Sequence, residues 1–331
     1  MRGAAAFALA VSASLLVLGP ASAQQSTTGA APPLVAPAPA LVPGGAPALA
    51  APGLTPSRAA APAAAGTKSA AKCDNPNALG VSRTVEIDTT GGPGFGFEHF
   101  KQLDFLRDHE VVLTFDDGPW PTTPSVLKAL AAECVKAIFF PIGKHATYYP
   151  EILKQVAAAG HSIGSHTWSH KDLSAIKSPD EAKAEIEKAV SAVKWALGDE
   201  GQEAPFFRFP ALRHPPEMVK YLGERNIGIF STDLDSFDFK MRKPDQVVKS
   251  VMAKLQKHGK GIVLMHDFQK ATSEAVPQLL AELKAGGYKI VHMKARGTVT
   301  SLPQYDEELA KESKLPTVSQ RPVSSVVRDV E

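Results

Sequence analysis

In the stretch LTFDDGPWP two acids, Asp116 and Asp117, stand side by side directly after an apolar run. Adjacent carboxylates repel, so each needs a partner of its own. Further along, GSHTWSH places His166 and His170 at a His-x-x-x-His spacing. On a helical turn that spacing puts both rings on one face, as two ligands of one metal ion require. Two imidazoles and one carboxylate are the donor set of a catalytic zinc site that keeps a position open for water. Such a site uses one acid of the pair and leaves the other to serve as general base. Arg208, in FFRFP, would keep that base ionised. His266, in IVLMHD, is placed to protonate a leaving group. Asp238, in DLDSFDF, has the competing reading of a rim salt bridge with Arg208.

These residues act together only if the fold delivers them to one place. Short apolar runs recur at 111–115, 137–142, 162–164, 206–209, 228–231, 261–265 and 288–292. Between most of them lie segments with helical character, at 124–132, 150–159, 179–197, 216–225, 244–258 and 272–285. Most of these open with proline, which suits a first helical turn. The alternation predicts an α/β fold, a distorted parallel (β/α) barrel of about seven strands, with an open doubly wound sheet as the alternative. Either architecture gathers ligand chemistry at the carboxyl ends of its strands. Asp116 and Asp117 follow the first strand, His166 and His170 the third. Arg208 closes the fourth, Asp235 and Asp238 follow the fifth, and His266 and Asp267 follow the sixth. Scattered surface charge has no reason to select that end.

Other residues take plainer readings. His161 is expected to be a satisfied structural side chain. His109, His145, His214, His258 and His292 share no element with the rim cluster. Trp168 reads as packing, while Trp120, between two prolines, suits packing or a sugar groove. There is no phosphate-binding glycine loop and no Gly-x-Ser-x-Gly elbow.

A net charge of +2 over 331 residues gives no push toward nucleic acid or an anionic membrane. Residues 1–23 read as a signal peptide: a charged start, an apolar stretch too short to span a bilayer, and Ala-Ser-Ala before Gln24. The expectation is an exported protein, periplasmic or secreted, with no transmembrane segment after processing. Residues 24–72 are almost wholly Ala, Pro, Gly and small polar residues, a disordered, semi-rigid linker. Cys73 and Cys134 are expected to pair in an oxidising compartment, the alternative being two buried thiols. Residues 295–331 read as a polar C-terminal tail after a catalytic domain at 73–294. Oligomeric state is not legible.

TFDDGP, HTWSH, an Arg-x-Pro, an Asp-Ser-x-Asp-aromatic and an apolar strand ending in His-Asp occur here in order. Over roughly residues 110–293 the chain resembles the polysaccharide deacetylase family, the NodB-homology domain of carbohydrate esterase family 4. The resemblance implies a distorted (β/α) barrel, a divalent metal, most often zinc with cobalt or others possible, and hydrolysis of acetyl groups from a polysaccharide. It implies Asp116 as base, Asp117, His166 and His170 as metal ligands, and Arg208 as brace of the base. It further implies His266 as acid, Asp238 as the residue tuning it, and Pro210, Ala211, Phe239 and Leu264 around the substrate. Two departures bear on substrate. Phe209-Pro210-Ala211-Leu212 stands where the family reads Pro-Pro-Tyr-Gly, and Phe239 where tryptophan is common. The reading is deacetylation of N-acetylglucosamine units in chitin-like chains or peptidoglycan. An O-acetyl esterase on acetylated xylan and an inactive carbohydrate-binding relic are the alternatives.

Overall fold

The computed structural model describes Cys73 and residues 75–313. The expected signal peptide, the Ala/Pro linker and the end of the tail lie outside the described residues. After β1 (Val81–Ile87) and β2 (Gly94–Phe95), strands and helices alternate. They run β3 (Glu110–Asp116), α1 (Thr123–Ala132), β4 (Ile138–Phe140), α2 (Gly143–Tyr148), α3 (Pro150–Ala158), β5 (Ser162–Ile163), α4 (Pro179–Leu197) and β6 (Phe206–Arg208). Then follow α5 (Pro216–Glu224), β7 (Gly228–Phe230), β8 (Leu234–Asp235), α6 (Pro244–His258), β9 (Gly261–His266), α7 (Lys270–Ala285), β10 (Lys289–Ala295) and α8 (Pro303–Ser313). Every strand and helix expected from periodicity has a counterpart within a few residues.

The strands form a distorted parallel barrel. β3, with all seven residues buried, is its hub. It pairs with β9 along one edge and with β4 near its end on the other. β4 continues to β5, and a parallel bridge between Ser165 and Phe207 carries the wall to β6 and then β7. Closure fails between β7 and β8: the outer edge of β7 is taken by β2, while β8 pairs with β9. Val, Ile, Leu and Phe from β3, β4 and β9 fill the interior between wall and helices.

Three strands escaped the sequence reading. β2 and β8 have two residues each, too short to show a period. β1 alternates half-buried and exposed, and its partner β10 lies some two hundred residues away. β10 itself leaves the barrel after pairing with only Glu110 and Val111 of β3. The expected polar tail also needs correction, because its first part contains α8. Leu309, the buried apolar contact of that helix, sits in one cluster with Trp168 and Ala192, and Lys188 pairs with Glu308 at 2.7 Å. The segment is short and rich in charge, and its packing partner is remote in sequence.

Cys73 and Cys134 are bonded, with Cα atoms 5.8 Å apart, fixing the start of the folded region to the end of α1. Asn75 Nδ2 donates to the Ala132 carbonyl at 3.2 Å on the same seam. Among the described residues, no helix is long and apolar enough to cross a membrane.

Candidate active site

Strand register builds the rim. β3 and β9 pair from Val111 with Gly261 up to Asp116 with His266, so these two side chains leave neighbouring strands at one level. The chain then turns sharply: Asp117 has φ 71°. A left-handed residue here points the two acids in different directions, and they find different partners.

Asp116 is held by a guanidinium. Arg208, with no exposed surface, donates from Nη1 to Asp116 Oδ1 at 2.7 Å and to Thr114 Oγ1 at 2.7 Å. Its Nη2 donates to the Ser231 carbonyl at 2.8 Å, and the guanidinium lies over the Phe140 ring at 4.5 Å. A planar donor fixed at both nitrogens cannot follow Asp116 if the carboxylate moves, so it sets the orientation of that acid. The competing pairing of Arg208 with Asp238 is absent among the contacts of the described residues.

Asp117 faces the histidines. Its Oδ1 lies 3.5 Å from His166 Nε2 and 3.3 Å from His170 Nε2, and the three donor atoms fall within 4.8 Å of one another. Burial, then the neighbouring His170, push the His166 imidazole down to about 3, against the opposing charge of Asp117. His166 Nδ1 is bonded to the Arg208 carbonyl at 2.7 Å, so the neutral ring donates there and turns the lone pair of Nε2 toward Asp117. Asp117 Oδ1 is buried with no hydrogen-bond partner among the described residues. An orphaned carboxylate oxygen between two imidazole nitrogens fits a divalent cation.

The two histidines do not share a helix. Residues 166–170 form an irregular turn in which Thr167 and His170 take φ 62° and 59°, and this brings the ring centroids to 5.0 Å. The spacing was informative and the helical reason for it was not. His145, set apart in the sequence reading, also reaches the rim: its Nδ1 lies 2.5 Å from the Asp117 carbonyl oxygen. By contrast His161 is buried and accepts from the Ala137 N–H, a structural role as expected.

Across the cleft, His266 Nδ1 is bonded to Asp238 Oδ1 at 2.6 Å. Asp238 Oδ2 accepts from the His266 N–H at 2.7 Å and from Thr272 Oγ1 at 2.6 Å. Burial opposes charge on His266, but the bond and the charge of Asp238 outweigh it and raise the ring to about 9. Burial likewise opposes charge on Asp238, yet the His266 bond holds its carboxyl below the usual range. The pair is an imidazolium on a fully bonded carboxylate.

The two groups face a cleft of about 520 Å³. Ala211, Phe239 and Leu264 line it, whereas Pro210 is buried and does not. Phe209 and Leu212, two of the departures from the family pattern, line it too, as do Glu98 and Phe237, which had no sequence signal. Thr114, Ser231 and Thr272, which anchor Arg208 and Asp238, had no signal in sequence at all. Ala211 and Leu212 both have φ 53°, so the substituted turn keeps a backbone that favours glycine while carrying side chains.

The parallel-stranded barrel thus gathers at its carboxyl-terminal rim a donor set that would hold one divalent cation, with an acid and an imidazolium beside it. Residues 106–227 match the model of the polysaccharide deacetylase family. The chitooligosaccharide deacetylase of Sinorhizobium fredii is 30% identical over 212 residues, covering 57% of this chain and 96% of that one. The peptidoglycan-N-acetylglucosamine deacetylase PgdA of Listeria monocytogenes is 35% identical over 185 residues, 55% of this chain. The match spans only 37% of that longer relative. Among solved structures, the Bdellovibrio bacteriovorus peptidoglycan deacetylase Bd3279 is 35% identical with a TM-score of 0.58, covering 65% of this chain and 59% of that one. The chain belongs to the polysaccharide deacetylase family.

Proposed function

We propose that the protein hydrolyses the acetamide of N-acetylglucosamine units in a polysaccharide, chitin-like or peptidoglycan, releasing acetate and leaving an amine. The observation that carries this reading is the pairing of an orphaned Asp117 carboxylate between two imidazoles with a charged His266 on the opposite wall. The names of the relatives support the substrate class.

A divalent cation held by Asp117, His166 and His170, zinc first and cobalt as an alternative, would supply a Lewis acid at the carbonyl oxygen. Asp116, oriented by its bond to Arg208, takes a proton from the attacking water. The backbone N–H of Ala211 is assigned to the developing oxyanion, a role that needs no particular side chain. His266 then gives its proton to the departing nitrogen as the C–N bond breaks, and Asp238 stabilises the imidazolium until that moment. One proton taken and one given leave acetic acid and a neutral amine, which ionise to acetate and ammonium as Asp116 and His266 exchange their protons with solvent. Leu264 and Phe239 offer apolar surface for the acetyl methyl and the sugar face. Export to the periplasm or beyond belongs to the same proposal, and the Cys73–Cys134 bond supports it, since disulfides persist in oxidising compartments.

Acetate release from chitin oligomers, peptidoglycan and acetylated xylan, compared with one cobalt-loaded preparation, tests the reading. Release from the first two and not the third is expected. Xylan alone as substrate would make the protein an O-acetyl esterase, and no release from any would leave the binding relic.

A further inference from the structure

Asp267, directly after His266, has no exposed surface and does not line the cleft. Its carboxyl lies under the loop that carries Asp117. A side chain placed on Gly118 would collide with both carboxyl oxygens of Asp267, so the acid rests against the backbone beside Asp117. Thr123 Oγ1 donates to Asp267 Oδ2 and accepts from the Trp120 N–H at 2.9 Å. Thr122 Oγ1 donates to the Asp267 carbonyl at 2.8 Å. From the other side, Asp117 N–H donates to the Phe140 carbonyl at 3.2 Å, and the Gly118 carbonyl accepts from Ile142 N–H at 3.1 Å. The loop after β3 is thus clamped between β4 and the end of β9. Asp267 shares a small interior cavity with Phe115, Pro119, Phe139, Leu153 and Val156. No ion pair among the described residues involves Asp267, so its hydrogen bonds and its fit against the loop are what hold it.

We propose that Asp267 is a positioning residue, which fixes Asp117 relative to His266 by its shape and its hydrogen bond to Thr123. The inference rests on the roles proposed above for Asp117 and His266. One residue serves both walls: its backbone continues the strand that ends in His266, and its side chain holds the turn that aims Asp117. A loosened clamp would let the Asp117 carboxylate drift from the imidazole pair and widen its separation from the acid. Neither fault alters the groove that binds sugar.

The test compares Asp267→Asn, which keeps shape without charge, with Asp267→Ala, which removes the clamp. Three quantities are read on each: cobalt affinity by competition against a chromophoric chelator, kcat at saturating cobalt, and KM. Asp267→Ala should weaken cobalt binding and lower kcat, each by about 10–100-fold, with little change in KM. Asp267→Asn should restore both to within about threefold of the parent, since only charge has been removed. A folded Asp267→Ala protein with parental affinity and kcat would show a purely structural residue and overturn the proposal. An Asp267→Asn protein as damaged as the alanine variant would overturn it as well. Should Asp267→Ala fail to fold, Thr123→Val deletes the hydroxyl at nearly constant volume. It should weaken cobalt binding, and unaltered binding overturns the proposal. If the parent protein releases no acetate, the proposed function fails, and cobalt affinity alone decides the role of Asp267.

Discussion

His166 and His266 stand on opposite walls of one cleft, both largely sealed from solvent, and both bind an oxygen through Nδ1. They are tuned in opposite directions. His166 meets a backbone carbonyl and is pushed to about 3, whereas His266 meets a carboxylate and is raised to about 9. Burial opposes charge on both rings. The partner on the far nitrogen decides which ring overcomes it. A neutral ring offers a lone pair, and a charged ring offers a proton. The walls also differ in completeness, for every oxygen of Asp238 is bonded while Asp117 Oδ1 has no partner among the described residues. One wall is finished by the protein, and the other asks for something from outside.

Four experiments break or sharpen that contrast. The largest effect is expected between the walls, at Asp116. Asp116→Asn should lower turnover by about 10²–10⁴-fold with metal content unchanged, because an amide cannot accept the proton from water. Loss of the metal in this variant would mean that the roles of Asp116 and Asp117 are exchanged. Next is the unfinished wall. His166→Ala should weaken cobalt binding by more than about 100-fold, above the usual cost of disturbing a supporting residue. His266→Ala, in contrast, should keep the metal and lose turnover. Equal metal loss in both variants would erase the distinction between the walls.

Smaller is the effect of uncoupling the charged pair. Asp238→Asn leaves His266 buried without its counter-charge, so the ring should fall below its ordinary value of about 6.5. Turnover near neutrality should drop by about 10–100-fold as the acid form is lost. A pH profile that does not move would remove Asp238 from the mechanism. The smallest perturbation is none: the metal-free parent, followed by imidazole NMR. His266 should lose its proton as pH rises through about 9, and His166 should stay neutral down to about 3. The folded value of His266 lies above the unfolded one, so its contribution to stability is complete below about 6.5 and disappears as pH rises through the folded value. A His266 midpoint near 6.5 would contradict the comparison at its root.

The sequence by itself determined which reactive residue types follow the strands and so share one end of the sheet. Strand–helix alternation and the placement of polar residues after apolar runs suffice for that, since a parallel sheet sends its carboxyl ends to one side. It determined the departures too, at Ala211, Leu212 and Phe239, although not where they point. Tertiary structure decided what each residue is bonded to. Arg208 holds Asp116 and leaves Asp238 to His266, a choice that depends on register between strands some 150 residues apart in the chain. It replaced the helical explanation of His166 and His170 with a turn of left-handed residues, and brought His145 and Asp267 to the Asp117 loop. It also set the opposed charges of His166 and His266, because desolvation and a partner at hydrogen-bond distance are properties of position in space. Residue types can announce an acid, a base and a ligand, but only packing assigns those parts.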